Sequence, residues 1–192
     1  ENAHQFRLTP WHNDPVCDGG GEALYLRDEE TGHYWSPSPL PHRGDGAYTC
    51  RHGFGYSVFE HVEDGIASEL TVYVAPDAAV KFSVLSVRNL SARSRRLSAT
   101  GYVAWVLGDL RAKSGPHIST DISADNGALY ARNPYSNDFG DWIGFYDVDE
   151  ADRAALDARL VLILASHIGT ASVLLEALAV ARNSLDDGTG AT

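Results

Sequence analysis

Ile66-Ala67-Ser68-Glu69-Leu70-Thr71-Val72-Tyr73-Val74-Ala75 is the stretch on which the fold turns, because Leu70, Val72 and Val74 alternate with Glu69, Thr71 and Tyr73. A period of two sends successive side chains to opposite faces of a strand, so one face here meets a core and the other meets solvent or a second layer. Asp64-Gly65 reads as the turn into this strand, and Pro76-Asp77 ends it.

Similar short runs extend to both sides, over residues 22–148. Residues 23–27 read as a strand, Glu29-Glu30-Thr31-Gly32 as its turn and 33–36 as the returning strand of a hairpin. Residues 56–62 make a strand that leads into the opening stretch. Residues 80–88 and 96–107 read as a further hairpin across a turn at 89–95, with Leu97, Ala99, Gly101, Val103, Trp105 and Leu107 on one face. Strands at 117–123, 128–132 and 142–148 follow, with Asp125-Asn126-Gly127 as a turn. No helix is expected in this span. The pattern predicts an antiparallel sandwich or barrel rather than βαβ units.

After residue 150 the character changes, since Ala, Leu and Asp replace β-branched and aromatic residues, and Leu156, Leu160, Ile163 and Leu164 fall at helical spacing. A sandwich domain over 1–150 with a helical or irregular extension over 151–192 is therefore expected. Residues 160–181 approach the length and apolarity of a membrane span. His167, Gly169 and Glu176 argue against it, because a central carboxylate is costly in hydrocarbon.

The chain has 192 residues, enough for one large domain with a real core, and 15 Lys and Arg against 26 Asp and Glu give a net charge of −11. Such a charge repels a phosphate backbone, so nucleic acid and anionic membrane surfaces are not expected partners, while a neutral, hydroxyl-rich ligand is compatible. Cys17 and Cys50 read as two free thiols. Eight His residues show no ligand pair at usable spacing, so no metal is expected. No cofactor is expected either: Gly19-Gly20-Gly21 lacks the flanking strand and helix of a dinucleotide loop, and no Walker loop or Gly-x-Ser-x-Gly elbow occurs. The absence of Met and the start at Glu1 lead to the expectation of a processed chain or an internal piece of a longer one, and the first residues show no leader pattern.

Leu8-Thr9-Pro10-Trp11-His12-Asn13-Asp14-Pro15 holds an aromatic ring, an amide and a carboxylate between two prolines, which fix φ and bias the residues before them to extended geometry. Trp11 and Trp35, each beside Pro or Ser-Pro in a loop, are candidate platforms for a pyranose ring, whose C–H face suits an aromatic surface; Trp11 could equally plug the end of the sandwich. Asn13, Asp14, Asp18 and Asp28 supply acceptors for sugar hydroxyls, or caps for turns. Arg51-His52-Gly53-Phe54-Gly55-Tyr56 sets a guanidinium and an imidazole before two glycines, either as a glycine-permitted bulge or as the border of a cleft that touches sugar hydroxyls. Trp105 reads as core.

The ordered blocks 8–15, Arg27-Asp28-Glu29-Glu30-Thr31-Gly32, Trp35-Ser36-Pro37, 51–56 and Tyr102-Val103-Ala104-Trp105-Val106-Leu107-Gly108 resemble the amino-terminal β-sandwich of glycoside hydrolase family 94, formerly grouped as glycosyltransferase family 36. Phe59-Glu60-His61, Arg95-Arg96-Leu97-Ser98 and Ala131-Arg132-Asn133-Pro134-Tyr135 are most similar to the carboxy-terminal module of its cyclic β-1,2-glucan synthases. The resemblance covers residues 1–148 and implies a mainly β, antiparallel supersandwich of the galactose mutarotase-like kind. It implies inverting phosphorolysis of β-linked glucans, in which phosphate is itself the nucleophile and the general acid lies in a separate (α/α)6 catalytic domain. The chain alone is then expected to be an inactive, non-catalytic accessory domain, with Trp11, Asn13, Asp14, Trp35, Arg51 and His52 contacting carbohydrate. Alternatives are a freestanding carbohydrate-binding module and a mutarotase-like sugar epimerase. Expected partners are a β-linked glucan or oligosaccharide and the catalytic domain, with a homodimer left open. The parent would lie in the inner membrane if a cyclic glucan synthase and in the cytoplasm if a phosphorylase.

Overall fold

The computed structural model describes residues 7–11, 16, 20–125, 127–137, 140–151 and 157–168, with the backbone alone for 149–151 and 157–168. Eleven strands occur among them: β1 (Glu22–Asp28), β2 (Tyr34–Trp35), β3 (Tyr48–Gly53), β4 (Tyr56–Glu63), β5 (Ile66–Val74), β6 (Val80–Asn89), β7 (Leu97–Val103), β8 (Ser119–Ile122), β9 (Leu129–Arg132), β10 (Trp142–Ala151) and β11 (Asp157–Ile168). All pair antiparallel, in a small sheet of order β2-β1-β7 and a large sheet of order β3-β4-β5-β6-β11-β10-β9-β8. The mainly β, antiparallel sandwich expected from the alternation is what forms.

The core lies in the seam between the sheets. Leu24 and Leu26 of β1 and Trp35 of β2 pack against Ile66 and Leu70 of β5 and Leu85 of β6. On the other face of the large sheet Val80, Phe82 and Val84 cluster with Phe145. A third cluster joins Leu8, Leu107 and Ala131, with Trp105 and Trp142 packed on it, in keeping with the core reading of Trp105. The Asp64-Gly65 turn takes φ of 46° and 78°, the left-handed pair of a two-residue hairpin whose twist matches its strands.

Three expectations are corrected. Residues 80–88 and 96–107 do not form a hairpin: β6 pairs with β5 and β11, while β7 crosses to the small sheet and pairs with β1. Arg95 fixes that crossing. Its Nε donates to Asp28 Oδ2 at 2.8 Å and its Nη1 to the Asp64 carbonyl at 2.8 Å, so the linker is tied to the end of β1 as well as to the β4–β5 turn. The helical spacing read from Leu156 to Leu164 is also overturned, because Asp157–Ile168 is a strand in the interior of the large sheet. Residues 160–165 are a continuous apolar run, which fits helical and strand spacing alike, so periodicity alone does not separate the two. Residues 152–156 and 169–192 lie outside the described residues. Finally, a short helix, α1 (Arg111–Ser114), and a 3-10 turn (Gly115–His117) interrupt the span expected to lack helix. No helix among the described residues is long and apolar enough to cross a membrane.

Candidate functional site

Strand alternation decides what the Arg51-His52 pair can do. In β3 they are consecutive, so their side chains leave opposite faces of the sheet. Arg51 pairs with Glu60 on one face, and that carboxylate holds the guanidinium pKa above its ordinary value. His52 lies on the other face, with Nδ1 2.9 Å from Ser57 Oγ and its ring edge-on to Phe59 at 6.1 Å between centroids. The two do not converge on one ligand. Both are exposed, as is Phe54 at the tip of the β3–β4 hairpin, while Tyr56 is half-exposed. Gly53 leaves room for the Tyr56 ring, and Gly55 takes φ of 81°, so both glycines are required by the tip's geometry rather than by a bulge.

Trp35 is not a platform. It is 0% exposed and sits in the seam, with His33 stacked on it at 5.6 Å. Its faces are closed to any ligand because β2 belongs to the small sheet and turns inward. Trp11 is 50% exposed, with the Arg7 guanidinium 5.5 Å from its ring centroid and Arg7 Nη1 donating to its carbonyl at 3.1 Å. Asn13, Asp14, Asp18 and Cys17 lie outside the described residues. Cys50 is an exposed free thiol. Asp28 is buried and spent on structure: it accepts from the backbone N–H of Glu30 at 2.7 Å and Thr31 at 3.3 Å and from Arg95, and these bonds, the Glu30 amide foremost, hold its pKa below the usual range.

The sequence did not point to a second cluster. Glu63, buried at the end of β4, takes hydrogen bonds from the Asp45 and Gly46 amides at 3.0 and 3.3 Å, and faces His33 Nε2 at 2.8 Å and His61 Nε2 at 3.0 Å. His61 Nδ1 donates to the Ala47 carbonyl at 3.1 Å, and the His61 ring stacks on Tyr48 at 3.8 Å. Burial pushes the Glu63 pKa up, but the bonds from His33, Gly46 and His61 outweigh it and the net shift is downward. A carboxylate so surrounded anchors a loop and has no open side for a substrate. The signal available in the sequence was His61 and Glu63 two residues apart on the inward register of a strand. Among the described residues no group of His, Cys, Asp and Glu could hold a metal ion.

A cavity remains between the sheets, lined by Glu22, Phe59, Val72, Lys81, Ser83 and Tyr146 among others.

Comparison with known proteins bears on this arrangement. The family model "Glycosyl hydrolase 94, supersandwich domain" matches residues 1–191. Cyclic beta-(1,2)-glucan synthase NdvB of Rhizobium meliloti (strain 1021) is 34% identical over 77% of this chain and 5% of its own length. N,N'-diacetylchitobiose phosphorylase of Vibrio furnissii is 32% identical over 73% of the chain and 18% of its own, and solabiose phosphorylase of Paenibacillus borealis 30% over 60% and 15%. The chain therefore spans less than a fifth of each of these relatives. With two antiparallel sheets closed on a common core and a family match across nearly every residue, the chain belongs to glycosyl hydrolase family 94, as its supersandwich domain.

Proposed function

We propose that this domain is the non-catalytic, carbohydrate-contacting part of an enzyme that makes or breaks β-glucosidic bonds, and that its β3–β4 hairpin faces a separate catalytic domain. The observation that carries the reading is Phe54, fully exposed between two glycines at the hairpin tip. Burying a Phe side chain is worth roughly 1.5–3 kcal/mol, so a ring held out in this way gains by being covered. The relatives support the carbohydrate assignment through their names, which are those of a glucan synthase and two disaccharide phosphorylases. They support a partial role through the small share of their length that this chain matches. A β-linked glucan and the catalytic domain are the proposed partners.

The test is phosphorolysis by the purified chain, supplied with a β-1,2-linked glucan and phosphate. No release of sugar 1-phosphate is expected. Turnover that disappears on one substitution here would overturn the reading. The half-exposed Trp11 favours a second one, a freestanding carbohydrate-binding module. Calorimetric titration with β-1,2-gluco-oligosaccharides separates the two: saturable binding lost in Trp11→Ala supports the freestanding module.

A further inference from the structure

A cavity of about 200 Å³ lies between the sheets beside Glu22 at the start of β1. Its floor is the inward register of the large sheet, where Phe59 pairs with Leu70 and Val72 with Ser83 across neighbouring strands. Lys81, two residues before Ser83 and on the same face, forms an ion pair with Glu22 of the small sheet. Tyr146 of β10 closes one side by reaching across to β7, where Gly101 alone leaves room for its hydroxyl. Burial first, and the Glu22 charge second, push the Tyr146 pKa up, so the phenol stays a proton donor.

Size and chemistry together narrow the occupant. A void of about 150 Å³ takes a bare six-membered ring, so about 200 Å³ takes one ring with its substituents and not two. Glu22 and Lys81 balance one another, which leaves no net charge to select an anion or a cation. The wall offers donors and acceptors (Tyr146, Ser83, Lys81, Glu22) beside apolar surface (Phe59, Val72), the pairing that suits a ring with hydroxyls on its rim and C–H groups on its face. Phe59 also meets His52 edge-on, so the cavity and the exposed hairpin share one ring. We propose that this cavity binds a single neutral hexopyranose unit, its C–H face on Phe59 and Val72 and its hydroxyls toward Glu22, Lys81, Ser83 and Tyr146. The inference rests on the carbohydrate-contacting reading and adds where one sugar unit sits.

The experiment is titration of the isotope-labelled 192-residue chain with methyl β-D-glucopyranoside, followed by amide chemical shifts. Saturable shifts centred on Ala23, Val72, Ser83 and Tyr102 are expected. Tyr146→Phe keeps the ring and its packing, and is expected to weaken binding about tenfold, the worth of one hydrogen bond. Ser83→Leu fills the cavity and is expected to abolish binding, with a thermal melt confirming the fold; should it not fold, Tyr146→Phe alone decides. Unchanged binding in Tyr146→Phe, shifts confined to other residues, or no shifts at all would each overturn the proposal. Shifts elsewhere with β-1,2-gluco-oligosaccharides would leave the carbohydrate-contacting reading standing without the cavity, and that reading fails separately, by turnover of the chain alone.

Discussion

Trp35 and Phe54 carry much the same signal along the chain, a large aromatic ring in a segment bounded by turn formers, yet one is 0% exposed and the other fully exposed. Trp35 belongs to β2, whose sheet lies over β5 and β6, so the ring enters the seam and meets Leu24, Leu26 and Leu85. Phe54 sits beyond the last ladder pair of β3 and β4, where no layer among the described residues faces it. Exposure of a ring is thus a property of the layer opposite it. Flanking Pro or Gly marks the turn but does not say what lies across it.

Trp35→Ala tests the buried half of this contrast and should have the largest effect. Removing a wholly buried Trp side chain costs about 3–5 kcal/mol through lost transfer energy and the cavity left behind. Urea unfolding should show that loss; a change below about 1 kcal/mol would mean that the seam is not the core. Any accompanying loss of sugar binding should follow the unfolded fraction.

Glu63 marks the boundary between the two regions, since it fastens the Gly44–Gly46 loop to the inward face of β4. Its folded pKa lies below the ordinary carboxylate value of 4.5, so its charged form is favoured by folding. That stabilisation is complete well above pH 4.5 and is lost as pH falls from there through the lower, folded value. Glu63→Gln should cost about 1–3 kcal/mol near neutral pH, the penalty for leaving buried partners poorly matched, and the deficit should shrink on acidification. Unfolding curves for both proteins between pH 7 and 3 check the sign: a deficit that grows toward low pH would contradict the anchoring role.

Phe54→Ala should barely register in the same measurement, within about 0.5 kcal/mol of the parent chain, because an exposed ring contributes little to the isolated fold. A larger loss would show that the hairpin tip packs on part of this chain, and would remove the reason for seeking a cover elsewhere.

Strands β4 and β5 and the Asp64-Gly65 turn were legible because alternation and turn chemistry are local, and the antiparallel class followed from them. Strand β3 was not seen as a strand: its residues are mostly exposed, so no buried face imposes a period on Tyr48–Gly53. The partner of β7 was hidden for another reason. Alternation shows which face of a strand is buried but carries no label for the sheet it joins, and here the choice is marked by Arg95, whose contacts to Asp28 lie 67 residues away. The candidate site was legible as composition only. Arg51 and His52 read as a glycine-permitted bulge or as the border of a cleft, and their divergence required knowing that they stand within a strand. Asp28 read as either a sugar ligand or a turn cap, and its bonds to the Glu30 and Thr31 amides are those of the cap.

That divergence gives the smallest and sharpest test. If both side chains bound one glucan together, removing the first would lower the worth of the second, and the two effects would not combine independently. From opposite faces of β3 they cannot share a hydroxyl, and His52 alone lies on the face that leads through Phe59 to the cavity. Titration of Arg51→Ala, His52→Ala and the double variant with a β-1,2-gluco-oligosaccharide should therefore give fold-changes that multiply, with the larger one from His52. If Arg51→Ala alone weakens binding and the double variant is nonetheless no worse than His52→Ala, both groups act on one ligand, and the hairpin must twist out of the plane in which its ladder now holds it.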